Sequence, residues 1–133
     1  MTDAIVASMT DAIVGLDHVQ VAAPPGCEDE ARRFYGTRLG LDEIEKPPLL
    51  AARGGVWFRA GRQELHVGVT TEFSPATKAH PALRVSSVEA LRDLADRLTA
   101  VGVAVTWADA AELPGATRFY VDDPWGNRVE LIA

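Results

Sequence analysis

The 133-residue chain reads as an α+β protein made of two strand-helix-three-strand (βαβββ) modules. Three observations carry this expectation. His18 and His80 are each followed after 22 residues by a glycine, Gly40 and Gly102. Each half later reaches a Glu-Leu pair, Glu64-Leu65 and Glu130-Leu131. The segments holding these residues alternate polar and apolar side chains at period two, the pattern of strands with one face on a core. Like residues at like spacing in two halves are the mark of a duplicated unit.

The first module spans residues 15–69. In its opening GLDHVQV, Val19 and Val21 share one face of a strand, which turns His18 and Gln20 to the other. A helix is predicted over 28–39, with Ala31, Phe34, Tyr35 and Leu39 on one stripe and Gly40 as its stop. Glu28, Asp29 and Glu30 suit its first turn, where the helix dipole favours negative charge. Strands follow at 42–46, 56–59 and 64–69, the last two joined by a turn at Ala60-Gly61.

Residues 70–79, with Ser, Thr and Pro, form the linker. The second module, residues 80–133, repeats the order with a strand at 80–85 and a helix at 87–101 that ends at Gly102. Val88, Leu91, Leu94, Ala95 and Leu98 lie at helical spacing, and Ser86 and Glu89 stand at capping-box spacing. Strands at 104–107, 118–121 and 128–132 complete it, the last pair joined by a turn over 123–127. Residues 1–14 form an N-terminal extension in which the hexapeptide MTDAIV occurs twice, at 1–6 and at 9–14.

Composition excludes several functions. Thirteen Lys and Arg are scattered among 19 Asp and Glu for a net charge of −6, which argues against a nucleic-acid partner. No apolar run approaches the roughly 18 residues that span a bilayer, so no membrane partner is expected. Asp3 and Asp11 stand where an export signal would carry positive charge, and a cytoplasmic location is expected. The single Cys27 has no disulfide partner; it sits near a helix start, where a thiolate is favoured, but is not expected to be catalytic. Trp57, Trp107 and Trp125 read as core or rim residues. Gly54-Gly55 reads as a turn, because no helix start with Lys-Ser/Thr follows it as in a phosphate loop.

Four stretches, LDHVQV from Leu16, FYGTRLGL from Phe34, HPALRV from His80 and FYVDDPWGNRVEL from Phe119, resemble the vicinal oxygen chelate superfamily over residues 15–133. That group includes glyoxalase I, extradiol dioxygenases, fosfomycin-modifying enzymes, methylmalonyl-CoA epimerase and bleomycin-resistance proteins. The resemblance implies sheets curled around a shared cleft that holds a divalent metal ion. It places metal ligands at His18, His80 and Glu130, with Glu64 favoured as the fourth. His66 lies two residues on from Glu64, on the same strand face, and lines the cleft or takes Glu64's place. Two imidazoles and a carboxylate suit Zn, Ni, Fe, Mn or Co alike.

The reading with the fewest missing parts is a glyoxalase-like, metal-dependent lyase or isomerase acting on a small oxygen-chelating substrate. Glu64 and Tyr120 are its candidate catalytic residues, and His66, Gln20 and Arg84 are candidates to line the substrate cleft. The alternative is a metal-free protein that binds an antibiotic or aromatic ligand. An extradiol-type dioxygenase is a further alternative: Tyr120 and Glu130 fit it, but Ala111, Glu112 and Leu113 occupy the region where those enzymes carry a further His. The fosfomycin-modifying group shares His18, His80 and Glu130 but has a longer C-terminal part. A homodimer is expected, because a curled open sheet leaves edges that a second copy can cover.

Overall fold

The computed structural model describes residues 12–133, so the first copy of the repeated hexapeptide lies outside the described residues. Strand β1 (His18–Ala23) leads to a helix, α1 (Glu28–Ala31), that widens into a π-helical segment at Arg32–Arg38. Then come β2 (Asp42–Ile44), a short helix α2 (Pro48–Ala51), β3 (Val56–Ala60) and β4 (Gln63–Val69). The second module contains β5 (Ala82–Arg84), α3 (Val88–Ala100), β6 (Thr106–Trp107), β7 (Arg118–Asp122) and β8 (Arg128–Ile132). The sheets have equivalent orders, β1-β4-β3-β2 and β5-β8-β7-β6, with the first pair parallel in each. This is the duplicated βαβββ architecture the spacing predicts.

Alternation explains which face of each sheet is buried. Val21 and Ala23, Val56 and Phe58, Leu65 and Val67, Phe119 and Val121, and Val129 and Leu131 all turn into one core. Helix α3 adds Leu91, Leu94, Ala95 and Leu98, and the first helix adds Ala31, Phe34 and Tyr35. Each large side chain taken fully out of water contributes about 1.5–3 kcal/mol. Because a strand sends neighbours to opposite faces, burying these rows leaves His18, Gln20, Glu64, Tyr120 and Glu130 on the faces away from the core.

The stretch over residues 123–127 ties the modules together. Buried Asp123 accepts hydrogen bonds from Tyr35 Oη (2.8 Å), Asn127 N (2.8 Å), Asn127 Nδ2 (2.8 Å) and Trp125 N (3.0 Å). Asn127, also buried, donates from Nδ2 to the carbonyl of Ala22 in β1 and accepts from Ala76 N in the linker. One Asp and one Asn thus join the first strand, the first helix, the linker and the last hairpin. Among the described residues no buried side-chain polar atom lacks a partner.

Three local expectations are corrected. The first helix is not α-helical through residue 39; its backbone adopts the wider π turn from Arg32, and Leu39 N bonds to Phe34 O. Helix α3 is capped by Ser87, whose Oγ accepts from Ala90 N at 3.0 Å, and not by Ser86. The third concerns His80, which precedes β5 instead of opening it. Pro81 has no N–H to give the ladder, so regular pairing starts at Ala82. Ala82 pairs with Glu130, whereas in the first module His18 itself pairs with Glu64. The matched 22-residue intervals do not mark positions equivalent in register; the second module is two residues out of step.

Candidate metal centre

Register assembles one group of polar side chains on each sheet. In the first, β1 places His18 opposite Glu64 and Gln20 opposite His66, and β3 places Trp57 opposite His66. Trp57, His66 and His18 form a continuous stack, with ring centroids 3.8 Å and 4.2 Å apart and planes within 3° and 13° of parallel. His66 is the buried middle of that stack, and its Nε2 meets Glu64 Oε1 at 2.9 Å. Glu64 keeps 30% of its side chain exposed against 5% for His66, so it is the more accessible donor of the pair. Gln20 lies over Gly68, where a Cβ would come within 2.7 Å of its amide.

In the second sheet, antiparallel pairing sets Tyr120 opposite Glu130, and the His80 ring stands edge-on to Tyr120 at 5.7 Å. His80 Nε2 meets Glu130 Oε1 at 2.9 Å, and Glu130 is buried. Arg118, on the same face two residues from Tyr120, places Nη1 2.7 Å from Tyr120 Oη and 3.5 Å from Glu130 Oε2. Its Nη2 donates to Glu112 Oε2 at 3.2 Å. The guanidiniums of Arg118 and Arg128 lie 5.7 Å and 5.3 Å from the Tyr120 ring centroid.

The hydrogen bonds select which imidazole nitrogen can act as a ligand. His80 Nδ1 lies 2.9 Å from the Lys78 carbonyl, which can only accept, so Nδ1 carries a proton; Nε2 shares a second proton with the Glu130 carboxylate, and it is the nitrogen a metal ion would take in that proton's place. His18 Nδ1 is held 2.8 Å from the Asp17 carboxylate, which selects Nε2 in the same way. An outer carboxylate or carbonyl that fixes the tautomer is the usual surrounding of a metal-bound His. The His80 Nε2 to Glu130 Oε1 contact also brings a nitrogen and an oxygen donor to one point. This donor chemistry fits a divalent ion.

Among the described residues, no three His, Cys, Asp or Glu side chains converge as a metal site would require. A groove of about 640 Å³ is lined by Glu64 from one sheet and by His80 and Arg84 from the other, with Leu16, Leu41 and Leu83 as its apolar wall. A cavity of about 810 Å³ extends from Tyr120 and Arg128 to the π-helical segment at Arg33, Phe34 and Arg38. No described helix is long and apolar enough to cross a membrane.

A family model described as the Glyoxalase/Bleomycin resistance protein/Dioxygenase superfamily matches residues 15–131. The chain belongs to this superfamily. Among solved structures, a protein assigned to the glyoxalase family of Bacillus anthracis is 49% identical, with a TM-score of 0.85, over 92% of this chain and 96% of its own. A lactoylglutathione lyase from Agrobacterium tumefaciens is 21% identical, with a TM-score of 0.73, over 92% and 95% of the two chains. The genomically encoded fosfomycin resistance protein FosX from Listeria monocytogenes is 20% identical, with a TM-score of 0.69, over 91% and 93%. The last two show a shared fold. No curated protein matches the chain.

Against this glyoxalase-superfamily frame, the candidate residues sort into two groups, His18, Gln20, Glu64 and His66 on the first sheet and His80, Tyr120 and Glu130 on the second; Arg84 is exposed on β5 and shares the groove with His80. Trp57 and Arg118 were not among the site residues read from the sequence. The signal for Arg118 was present: it shares the period-two face of Tyr120. Trp57 was legible only through the β3–β4 register, which a lone sequence does not state. Cys27 is the opposite case. Burial, then the neighbouring Glu28 carboxylate, push its thiol up to about 11, overriding any help from the helix start.

Proposed function

We propose that this superfamily member is a divalent-metal-dependent lyase or isomerase of the glyoxalase type, acting on a small molecule with two adjacent oxygens. The observation that carries the reading is the His80–Glu130 pair, an imidazole Nε2 and a buried carboxylate oxygen 2.9 Å apart, with Nδ1 engaged by the Lys78 carbonyl. His18, His80 and Glu130 would hold the ion, with Glu64 as the fourth ligand, steadied by His66. The ion, when bound, would supply Lewis-acid polarisation of the substrate oxygens. Glu64, the most accessible carboxylate of the two groups, would move the substrate proton, and the Tyr120 hydroxyl would orient a substrate oxygen.

Because no three such side chains converge among the described residues, we place the complete site in a homodimer, each centre taking His18 and Glu64 from one copy and His80 and Glu130 from the other. Each sheet is open, ending at β1 and β2 or at β5 and β6, and a second copy is a common way to cover such edges. Complementation tests it. His18→Ala and His80→Ala proteins should each bind no metal, while a mixture refolded together should recover about a quarter of the wild-type sites under random pairing of two-fold dimers. No recovery in a mixture that does form mixed dimers would contradict the shared site.

The Trp57–His66–His18 stack supports a second reading, a metal-free binder of a planar aromatic ligand. Titration with aromatic and antibiotic ligands, with and without a chelator, separates the two. Tight binding indifferent to the chelator, with no turnover of any oxygen-chelating substrate, would favour the binder.

A further inference from the structure

Among the described contacts, Arg118 is placed unlike the other arginines. Its side chain is 13% exposed, and its guanidinium reaches three functional groups at once: Tyr120 Oη, the Glu130 carboxylate and Glu112 Oε2. A guanidinium only donates, so the Tyr120 oxygen must be the acceptor in the 2.7 Å contact. The phenol's own proton is thereby turned away from Arg118, leaving its O–H free to donate elsewhere. On Glu130, Arg118 lies beside Oε2 while His80 takes Oε1, so the two oxygens face different partners. A buried carboxylate with no cation nearby is costly, and Arg118 supplies the compensating charge.

We propose that Arg118 is a positioning residue of the second half of the site. It fixes the rotamer of Glu130 so that Oε1 is presented alongside His80 Nε2, and it fixes the Tyr120 hydroxyl as a hydrogen-bond donor to a substrate oxygen. Glu112, on the segment between β6 and β7, holds the far end of the guanidinium, so this segment and the site share one cation. The inference rests on Glu130 and Tyr120 belonging to the site, as in the function proposed above. The bland alternative is that Arg118 merely ties down that segment through Glu112, in which case Glu112→Gln would do as much harm as Arg118→Gln.

The test measures two quantities on the full chain: affinity for Co(II), followed by its visible absorption, and the ring carbon signals of tyrosine in a ¹³C-labelled protein. The chain has only two tyrosines, and Tyr35 is buried against Asp123, so the Tyr120 signal can be assigned by a Tyr35→Phe spectrum. Arg118→Gln should weaken Co(II) binding by about tenfold or more, the usual cost of losing a group that orients a ligand. It should also shift the Tyr120 signal and spare that of Tyr35. Arg118→Lys, which keeps the charge but loses the fork and is the gentler change for folding, should fall between Gln and wild type. Arg32→Gln, which breaks an exposed pair with Glu43, should leave both readouts unchanged. The proposal is overturned if Arg118→Gln leaves the Tyr120 signal in place and binds Co(II) as wild type, or if Glu112→Gln reproduces its full effect. Failure of the wild type to bind Co(II) would count against the metal reading and leave Arg118 to be judged on the Tyr120 signal, where an unshifted resonance overturns it.

Discussion

Replacing Asn127 with alanine should be among the most damaging single changes in this chain, although the residue touches none of the candidate ligands. Its side chain makes three hydrogen bonds: Nδ2 to the Ala22 carbonyl (2.8 Å), Nδ2 to Asp123 Oδ2 (2.8 Å) and Oδ1 from Ala76 N (3.0 Å). At about 1 kcal/mol net for each, plus the cost of stranding the part-buried Ala22 carbonyl, the loss comes to about 3–5 kcal/mol. For a domain of this size that corresponds to a fall in Tm of roughly 10–20 °C. Urea and thermal denaturation followed by circular dichroism would measure it. Asn127→Asp sharpens the test, since it keeps shape and volume but sets a carboxylate oxygen against that of Asp123 where an N–H now donates. It should be at least as destabilising as alanine. If Asn127→Ala lies within about 1 kcal/mol of wild type, the argument that this turn locks the modules through buried hydrogen bonds is refuted.

Three further outcomes are expected. Gly55 has φ +86°, and a Cβ there would sit 2.2 Å from the Val67 carbonyl oxygen, so Gly55→Ala should cost at least about 2 kcal/mol, whereas Gly61→Ala, with positive φ but open space, should cost only about 1 kcal/mol by the same denaturation. Cys27 should resist iodoacetamide in the native protein at pH 8 and react once unfolded; its raised pKa adds stability that is intact below pH 9 and lost as pH rises through about 11. The Glu28 carboxylate, held below its usual pKa chiefly by the Gly55 N–H at 2.8 Å, contributes stability present above its unfolded pKa and lost as pH falls through its folded one, so Glu28→Gln should flatten the acid side of the stability profile.

How far the sequence disclosed this structure depended on the kind of signal. Period-two rows such as Val19/Val21 and Val129/Leu131 are local, so they placed the strands and turned His18 and Glu130 off the core face. The Asp123–Asn127 turn was legible as a turn, but its role was not, because its partners Ala22, Tyr35 and Ala76 are remote in sequence. Spacing misled once: the 22-residue match between His18 and His80 survives in the sequence but not in the register, where Ala82 and not His80 stands opposite Glu130. The expectation that His18 would join His80 and Glu130 needed the relative placement of the two modules, which no local pattern encodes. Arg118 went unread because an arginine two residues from a site tyrosine looks like any half-exposed cation until its three partners are located.

The measurement that bears most directly on the central claim is elemental analysis of protein purified without a histidine tag, before and after incubation with Zn, Ni, Co, Mn and Fe(II), beside His80→Ala. The account predicts one divalent ion per chain in the wild type and little or none in His80→Ala, with the variant still folded. A wild type that takes up none of the five ions, or a His80→Ala protein with unchanged metal content, would contradict it.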